Sequence, residues 1–172
     1  MGFTPLEGIV MATRSGSVDP GLLLWLLQDG RLSRAELEDG LEHRSGLEAL
    51  AGTPDMREVL DRSARGVESA TLALEVYLHR LRAAIASMAA SLGGLDAIAF
   101  TGGVGEHAAE IRERAAAGLE FLGIEIDPDR NAAAGGDTII STAPSRVVAL
   151  LISAREDLEI ADQTRRALTP AP

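Results

Sequence analysis

The stretch Ala97-Ile98-Ala99-Phe100-Thr101-Gly102-Gly103-Val104-Gly105-Glu106-His107 decides the fold. A short apolar run ends in a glycine cluster, and the pattern turns helical from residue 108 onward. A buried strand that passes through glycines into a helix leaves backbone N–H groups directed at open space. That arrangement suits a phosphate or the sugar of a nucleotide. Glycine removes the Cβ where a ligand must approach the backbone and admits positive φ in the turn. A tight strand-to-helix turn with no ligand accounts for the same residues, so the segment alone leaves both readings open.

Outward from this point the chain reads as alternating helices and strands. Asp19-Pro20 is a helix-start signal ahead of the apolar run Leu22-Leu23-Leu24-Trp25-Leu26-Leu27. Ser33 and Glu36 have capping-box spacing for a short helix reaching Arg44. Gly46 and then Gly52-Thr53-Pro54-Asp55 mark a loop. Over residues 63–90, Val67, Leu74, Leu78, Leu81, Ile85 and Met88 recur at helical spacing, with Leu92 next, which predicts one long amphipathic helix. Gly93-Gly94 ends it just before the 97–100 strand. Beyond the glycine turn a helix is predicted over 108–117, then a turn at Asp127-Pro128-Asp129 and a small, Gly-rich loop over 131–137. Ile139-Ile140 and Val147-Val148-Ala149-Leu150-Leu151-Ile152 read as strands, the second as fully buried. A final helix is predicted over 157–168, with 169–172 as a flexible tail. The expected class is a layered α/β domain over residues 1–172, without internal repeats.

Composition narrows the function. The net charge of -10, with no basic run, argues against nucleic acid as a partner. An acidic protein that takes a nucleotide must gather cations locally against its own field. All sixteen basic residues are Arg, so no Walker A lysine is available and a phosphate clamp must use Arg, backbone amides or a metal. Cysteine is absent, which removes disulfides and thiolate metal sites. His43, His79 and His107 are scattered. Met1-Gly2-Phe3-Thr4-Pro5 lacks a basic n-region, and the 22–27 run is too short for a bilayer. A cytoplasmic enzyme or enzyme fragment is expected, with no membrane partner.

Three further segments carry chemistry. Arg14, flanked by small residues in Thr13-Arg14-Ser15-Gly16, presents a guanidinium fork matched to phosphoryl or carboxylate oxygens. A surface Arg in a turn is the plainer alternative. Asp55-Met56-Arg57 places a carboxylate and a guanidinium around a flexible apolar residue. The trio suits a ribose or base with Met packed on the ring, and equally an ordinary helix N-cap. Arg155-Glu156-Asp157 follows the 147–152 strand, where ligands of open α/β sheets gather. A carboxylate there suits Mg²⁺, which takes one or two carboxylates with phosphates and water, or simply the dipole of the following helix.

Together and in order these segments resemble the acetate kinase family, within the acetate and sugar kinase/Hsp70/actin superfamily. The resemblance is carried by 1–8 (Met-Gly-Phe-Thr-Pro-Leu-Glu-Gly), 11–20 (Met-Ala-Thr-Arg-Ser-Gly-Ser-Val-Asp-Pro) and Phe100-Thr101-Gly102-Gly103-Val104-Gly105-Glu106-His107. Asp96, Phe121-Leu122-Gly123 and residues 155–161 add to it. It implies a ribonuclease-H-like (actin-like ATPase) nucleotide-binding domain and reversible phosphoryl transfer between ATP and acetate, giving ADP and acetyl phosphate. It implies that Arg14 stabilises the transferring phosphoryl group and that Asp55, Met56 and Arg57 contact adenosine. Gly102, Gly103, Val104, Gly105, Glu106 and His107 would form the second nucleotide segment. Glu156 would serve Mg²⁺ (or Mn²⁺), and the protein would be a homodimer through this half.

Two positions depart from the family pattern: Ala12 stands where Gly is usual and His107 where Asn is frequent. Relatives are also longer. An amino-terminal domain with its Asn/Ser/Lys phosphate motif, a catalytic Asp and His, a substrate Arg, a His-x-Gly-Asn-Gly turn and the first strands of the nucleotide domain have no counterpart here. The chain is therefore expected to be a carboxy-terminal half, inactive alone and with an open sheet edge. Other readings are a non-catalytic nucleotide-binding or dimerisation remnant, or a propionate or butyrate kinase relative.

Overall fold

The computed structural model describes residues 2–168, so the expected tail at 169–172 lies outside the described residues. The chain divides into two compact units, Met1–Leu95 with Arg114–Leu119, and Asp96–Glu113 with Glu120–Pro172.

The first unit is helical. Asp19 caps α1 (Pro20–Leu27) by accepting from the Gly21 N–H, and the Ser33/Glu36 capping box opens α2 (Arg34–His43) as its spacing predicts. The expected loop at Gly46 is instead a short helix, α3 (Gly46–Ala51). The predicted 63–90 helix is two elements, α4 (Met56–Ala64) and α5 (Glu68–Leu92). Gly66 turns the chain between them at φ +80°, and Val67 becomes the cap of α5 rather than a core residue. The first half of α5 packs on α4, burying Val59, Ala70, Ala73, Leu74 and Leu78. The predicted stripe does not persist, since Met88 and Leu92 are exposed while Ala89 is buried.

The second unit holds the sheet. Strand β1 (Ala97–Phe100) pairs in parallel with β3 (Val148–Leu151), in register Ala97 to Val148 and Phe100 to Leu151. Strand β2 (Thr138–Ile139) lies antiparallel on the other side of β3. The order β1-β3-β2 leaves β1 as an edge strand among the described residues. Among the described residues, one sheet face forms a core, from Phe100, Ala149, Leu151 and Ile140. Val148 is exposed, so the strand expected to be buried throughout alternates.

The glycine segment is itself helical. Gly102–His107 forms α6, followed by α7 (Ala109–Ala117), where an open turn leading to a helix at 108 was expected. The expected loop at 131–137 begins one element late, because α8 (Pro128–Ala133), capped by Asp127, includes Asn131. The last helix, α9, spans Glu156–Leu168.

Inside this unit Arg112 is 2% exposed and Asn131 1%. Arg112 Nη1 donates to the carbonyls of Gly105 and Glu106, both at 2.9 Å. Its Nε and Nη2 donate to Asn131 Oδ1 at 2.7 Å and Asn131 O at 2.9 Å. Asn131 Nδ2 donates in turn to Ala109 O at 2.9 Å. The cation thus satisfies the carbonyl end of α6 and joins it to α8. Replacing it by Met strips a donor from each of these acceptors while keeping side-chain bulk. Arg112→Met is expected to lower stability by about 3 kcal/mol, measured by urea unfolding. Asn131→Leu should be less than additive with it, because the two share bonds.

Candidate functional site

Arg14 sits on a loop fastened from several sides within the first unit. Met11 N–H donates to Arg14 O, Ser15 N–H to Leu41 O, and Ser45 N–H to Thr13 O. The start of α3 then donates to the same loop, Leu47 N–H to Met11 O and Glu48 N–H to Ala12 O, each at 2.9 Å. Gly46 makes this approach possible: it lies at φ +65°, and a Cβ there would stand 2.2 Å from Met11 O and 2.9 Å from Arg14 O. The loop backbone is therefore tied down while the partly buried Arg14 side chain has no hydrogen-bond or ion-pair partner among the described residues. A guanidinium on a fixed backbone with its donors free is ready for an oxyanion.

Asp55 caps α4, accepting from Arg57 N–H at 2.9 Å, and holds the Arg57 guanidinium bidentately through Nε at 3.1 and 3.2 Å and Nη2 at 2.6 Å. The helix N-cap reading of this trio is thus realised, and the cap also carries a paired charge. The Arg57 side chain is 87% exposed. Met56 differs from expectation. It is 6% exposed and belongs to the first unit's core, so its side chain is not open to a ring. Beneath the pair, Thr53 is buried, its hydroxyl donating to Glu58 Oε2 at 2.6 Å while Glu58 also pairs with Arg62.

In the second unit, Gly102, Gly103, Val104, Gly105, Glu106 and His107 all lie in α6, with Gly103 and His107 exposed. The Gly102 N–H is not left open: it donates to Glu106 Oε1 at 2.9 Å. Glu156 is the exposed first residue of α9. No group of three or more His, Cys, Asp or Glu side chains able to hold a metal gathers among the described residues. A single exposed carboxylate fits Mg²⁺ held largely by phosphates and water, and does not fit an all-protein cage. Arg14 and Asp55–Arg57 thus belong to the first unit, the glycine helix and Glu156 to the second.

Arg112, Asn131 and Asp137 also hold the latter segments, though none belongs to a motif. A signal for Arg112 existed: it falls within the spacing Ala108, Ile111, Arg112, Ala115, Ala116, Leu119, every member of which is buried. A charged residue inside an apolar stripe at helical spacing marks a buried, hydrogen-bonded group. Asp137 carried no such mark, since its partners Ser153 and Arg155 are distant in sequence.

Comparison with known proteins places this arrangement. The model of the acetokinase family matches residues 1–162. The chain is 46% identical over 164 residues to an acetate kinase of Rippkaea orientalis, and 49% identical over 162 residues to one of Nostoc punctiforme. These alignments cover 95% and 94% of this chain but only 41% and 40% of those relatives. The chain thus spans about two fifths of the length of the curated relatives it matches. The crystal structure of Porphyromonas gingivalis acetate kinase superposes with a TM-score of 0.89 at 37% identity, covering 98% of this chain and 43% of that one. A propionate kinase from Francisella tularensis superposes with a TM-score of 0.87 at 39% identity, covering 95% and 42%. The fold is accordingly a partial α/β actin-like ATPase arrangement, as the sequence implied.

Asp55 offers a direct test of its pairing. Arg57 holds its carboxyl down to about 2, chiefly through their side-chain hydrogen bonds. The contribution of the pair is complete above the ordinary carboxylate value of about 4 and is lost as pH falls toward the depressed one. Arg57→Ala is expected to return the Asp55 titration, followed by carboxyl carbon NMR, most of the way to about 4. An unchanged titration would assign the depression to the backbone cap instead.

Proposed function

The chain belongs to the acetokinase family, and from that membership we propose that it carries the nucleotide side of an acetate kinase. In the proposed reaction the γ-phosphoryl group of ATP moves to a carboxylate oxygen of acetate. The P–O bond to ADP breaks and the acyl-phosphate P–O bond forms, reversibly. Phosphoryl transfer asks chiefly for positioning and charge neutralisation. Arg14 supplies the charge, its guanidinium stabilising the equatorial oxygens of the group in flight. Asp55 and Arg57 contact the adenosine with polar atoms, Met56 contributing through its backbone, and Gly102 through His107 form the second nucleotide segment. Glu156 would hold Mg²⁺ (or Mn²⁺) together with the nucleotide phosphates, and the ion would neutralise phosphate charge.

The observation that carries this reading is Arg14: a partly buried guanidinium without a partner among the described residues, on a loop whose backbone is fixed by α3. A structural cation would be paired, as Arg62 and Arg155 are. The likeness to a propionate kinase keeps a longer short-chain acid in view as an alternative substrate. A cytoplasmic homodimer completes the reading. No described helix is long and apolar enough to cross a membrane, and α1 exposes Leu22, Leu24 and Trp25, while α5 exposes Leu72 and Met88, as apolar area for a second copy.

Calorimetry of the 172-residue chain tests the proposal. Saturable binding of Mg-ADP, abolished by Arg57→Ala and weakened by Glu156→Gln, is the expected result; no binding at millimolar ADP would overturn it and leave an interaction remnant. The chain alone is expected to form no acetyl phosphate from ATP and acetate in a hydroxamate assay, because the acid-side groups of the family have no counterpart in it.

A further inference from the structure

The glycine helix α6 and the loop leading from β3 into α9 lie far apart in sequence and share one oxygen atom. Glu106 Oε1 accepts from the Gly102 N–H and from the Ala154 N–H, each at 2.9 Å. The first bond closes α6 on itself, and the second ties that helix to the residue two positions before Glu156. The backbone of Glu106 is fixed as well, since its carbonyl accepts from the buried Arg112 at 2.9 Å. A second carboxylate holds the same loop: Asp137 accepts from the Ser153 N–H at 2.9 Å and from Arg155 Nη2 at 2.6 Å. Consecutive amides at 153 and 154 are therefore claimed by acids from two different segments, with Glu156 following at the start of α9.

Oε1 has both lone pairs engaged by these two amides, while Oε2 has no hydrogen-bond partner among the described residues. We propose that Glu106 is a positioning residue: through Oε1 its carboxylate joins the glycine helix to the loop bearing Glu156 and fixes the spacing between them. The proposal rests on the nucleotide reading of those two segments. It requires an acceptor oxygen at Oε1 and no charge, which sets it apart from any role in which Glu106 meets metal or phosphate directly. Gln retains the acceptor oxygen; Ala removes it.

Two measurements on the 172-residue chain decide it. Glu106→Ala is expected to speed amide hydrogen exchange at Gly102 and Ala154 about tenfold, the loss of one backbone-to-carboxylate bond. Exchange at Val148, whose N–H is bonded to Asp96 O, should not change and controls for general unfolding. The same variant should reduce the gain in ADP affinity on adding MgCl₂ about tenfold, and Glu106→Gln should restore both readouts. Unchanged exchange at Ala154 in Glu106→Ala would overturn the proposal, as would a Gln variant as impaired as Ala. If the wild-type chain takes up no ADP, the nucleotide reading fails. The exchange measurement then still decides whether Glu106 joins the two segments.

Discussion

Arg112 donates to four oxygens, none of them a carboxylate, from a position almost wholly inside the second unit. A buried cation with neutral partners is tolerable only when its nitrogens find acceptors, as all three do here, and burial pushes its pKa down. That demand fixes α6 from its carbonyl end. With the Gly105 and Glu106 carbonyls held, the Glu106 side chain has a defined origin from which it reaches Gly102 and Ala154. A helix of six residues, three of them glycine, has little intrinsic stability. Its order comes from these tertiary bonds, and the placement of its backbone depends on Arg112 more than on its own sequence.

The first unit reaches a comparable result by a different route. Its Arg14 loop has no buried ion to anchor it. It is held by backbone hydrogen bonds from α3, whose first residue must be glycine because three loop carbonyls converge on it. In one unit the backbone is fixed by a side chain and in the other by main chain, and in both a candidate ligand segment is left with immobile geometry. Fixed donors need not reorganise when charge arrives, which is the physical basis of electrostatic stabilisation in a reaction with little covalent work for the protein.

Local signals proved readable wherever local chemistry decided the structure. The Asp19-Pro20 start and the Ser33/Glu36 box stand as their residues predict, and Gly93-Gly94 ends α5; β1 forms at 97–100, but of the strand expected to be buried only Phe100 is. The misreadings arise where tertiary contact overrides pattern. Val67 fits a helical apolar repeat, but Gly66 turns the chain just before it. Gly46 resembles a loop marker because the carbonyls that need it lie some thirty residues earlier. Asn131 sits in a small-residue stretch that looks like loop, yet it is buried by its bonds to Arg112 and Ala109. In the candidate segments the side-chain environments are not legible from sequence: Met56 faces the core, and Glu106 Oε1 accepts two backbone amides.

The charge distribution gives a reason for that division of labour among the acids. With 26 Asp and Glu against 16 Arg, most of this chain's field repels a polyphosphate. Three acids in or beside the candidate segments are engaged: Asp55 by Arg57, Asp137 by Arg155, Glu106 by two amides. Each such pairing offsets part of the negative charge with a donor. Arg14 is the complementary case, a cation whose neighbours leave its donors unused. Long-range repulsion is screened within about 8 Å at physiological ionic strength, whereas a direct guanidinium contact is not. In a chain this acidic, an oxyanion is therefore met best by direct guanidinium contact, and an acid repels it least where a donor already holds it.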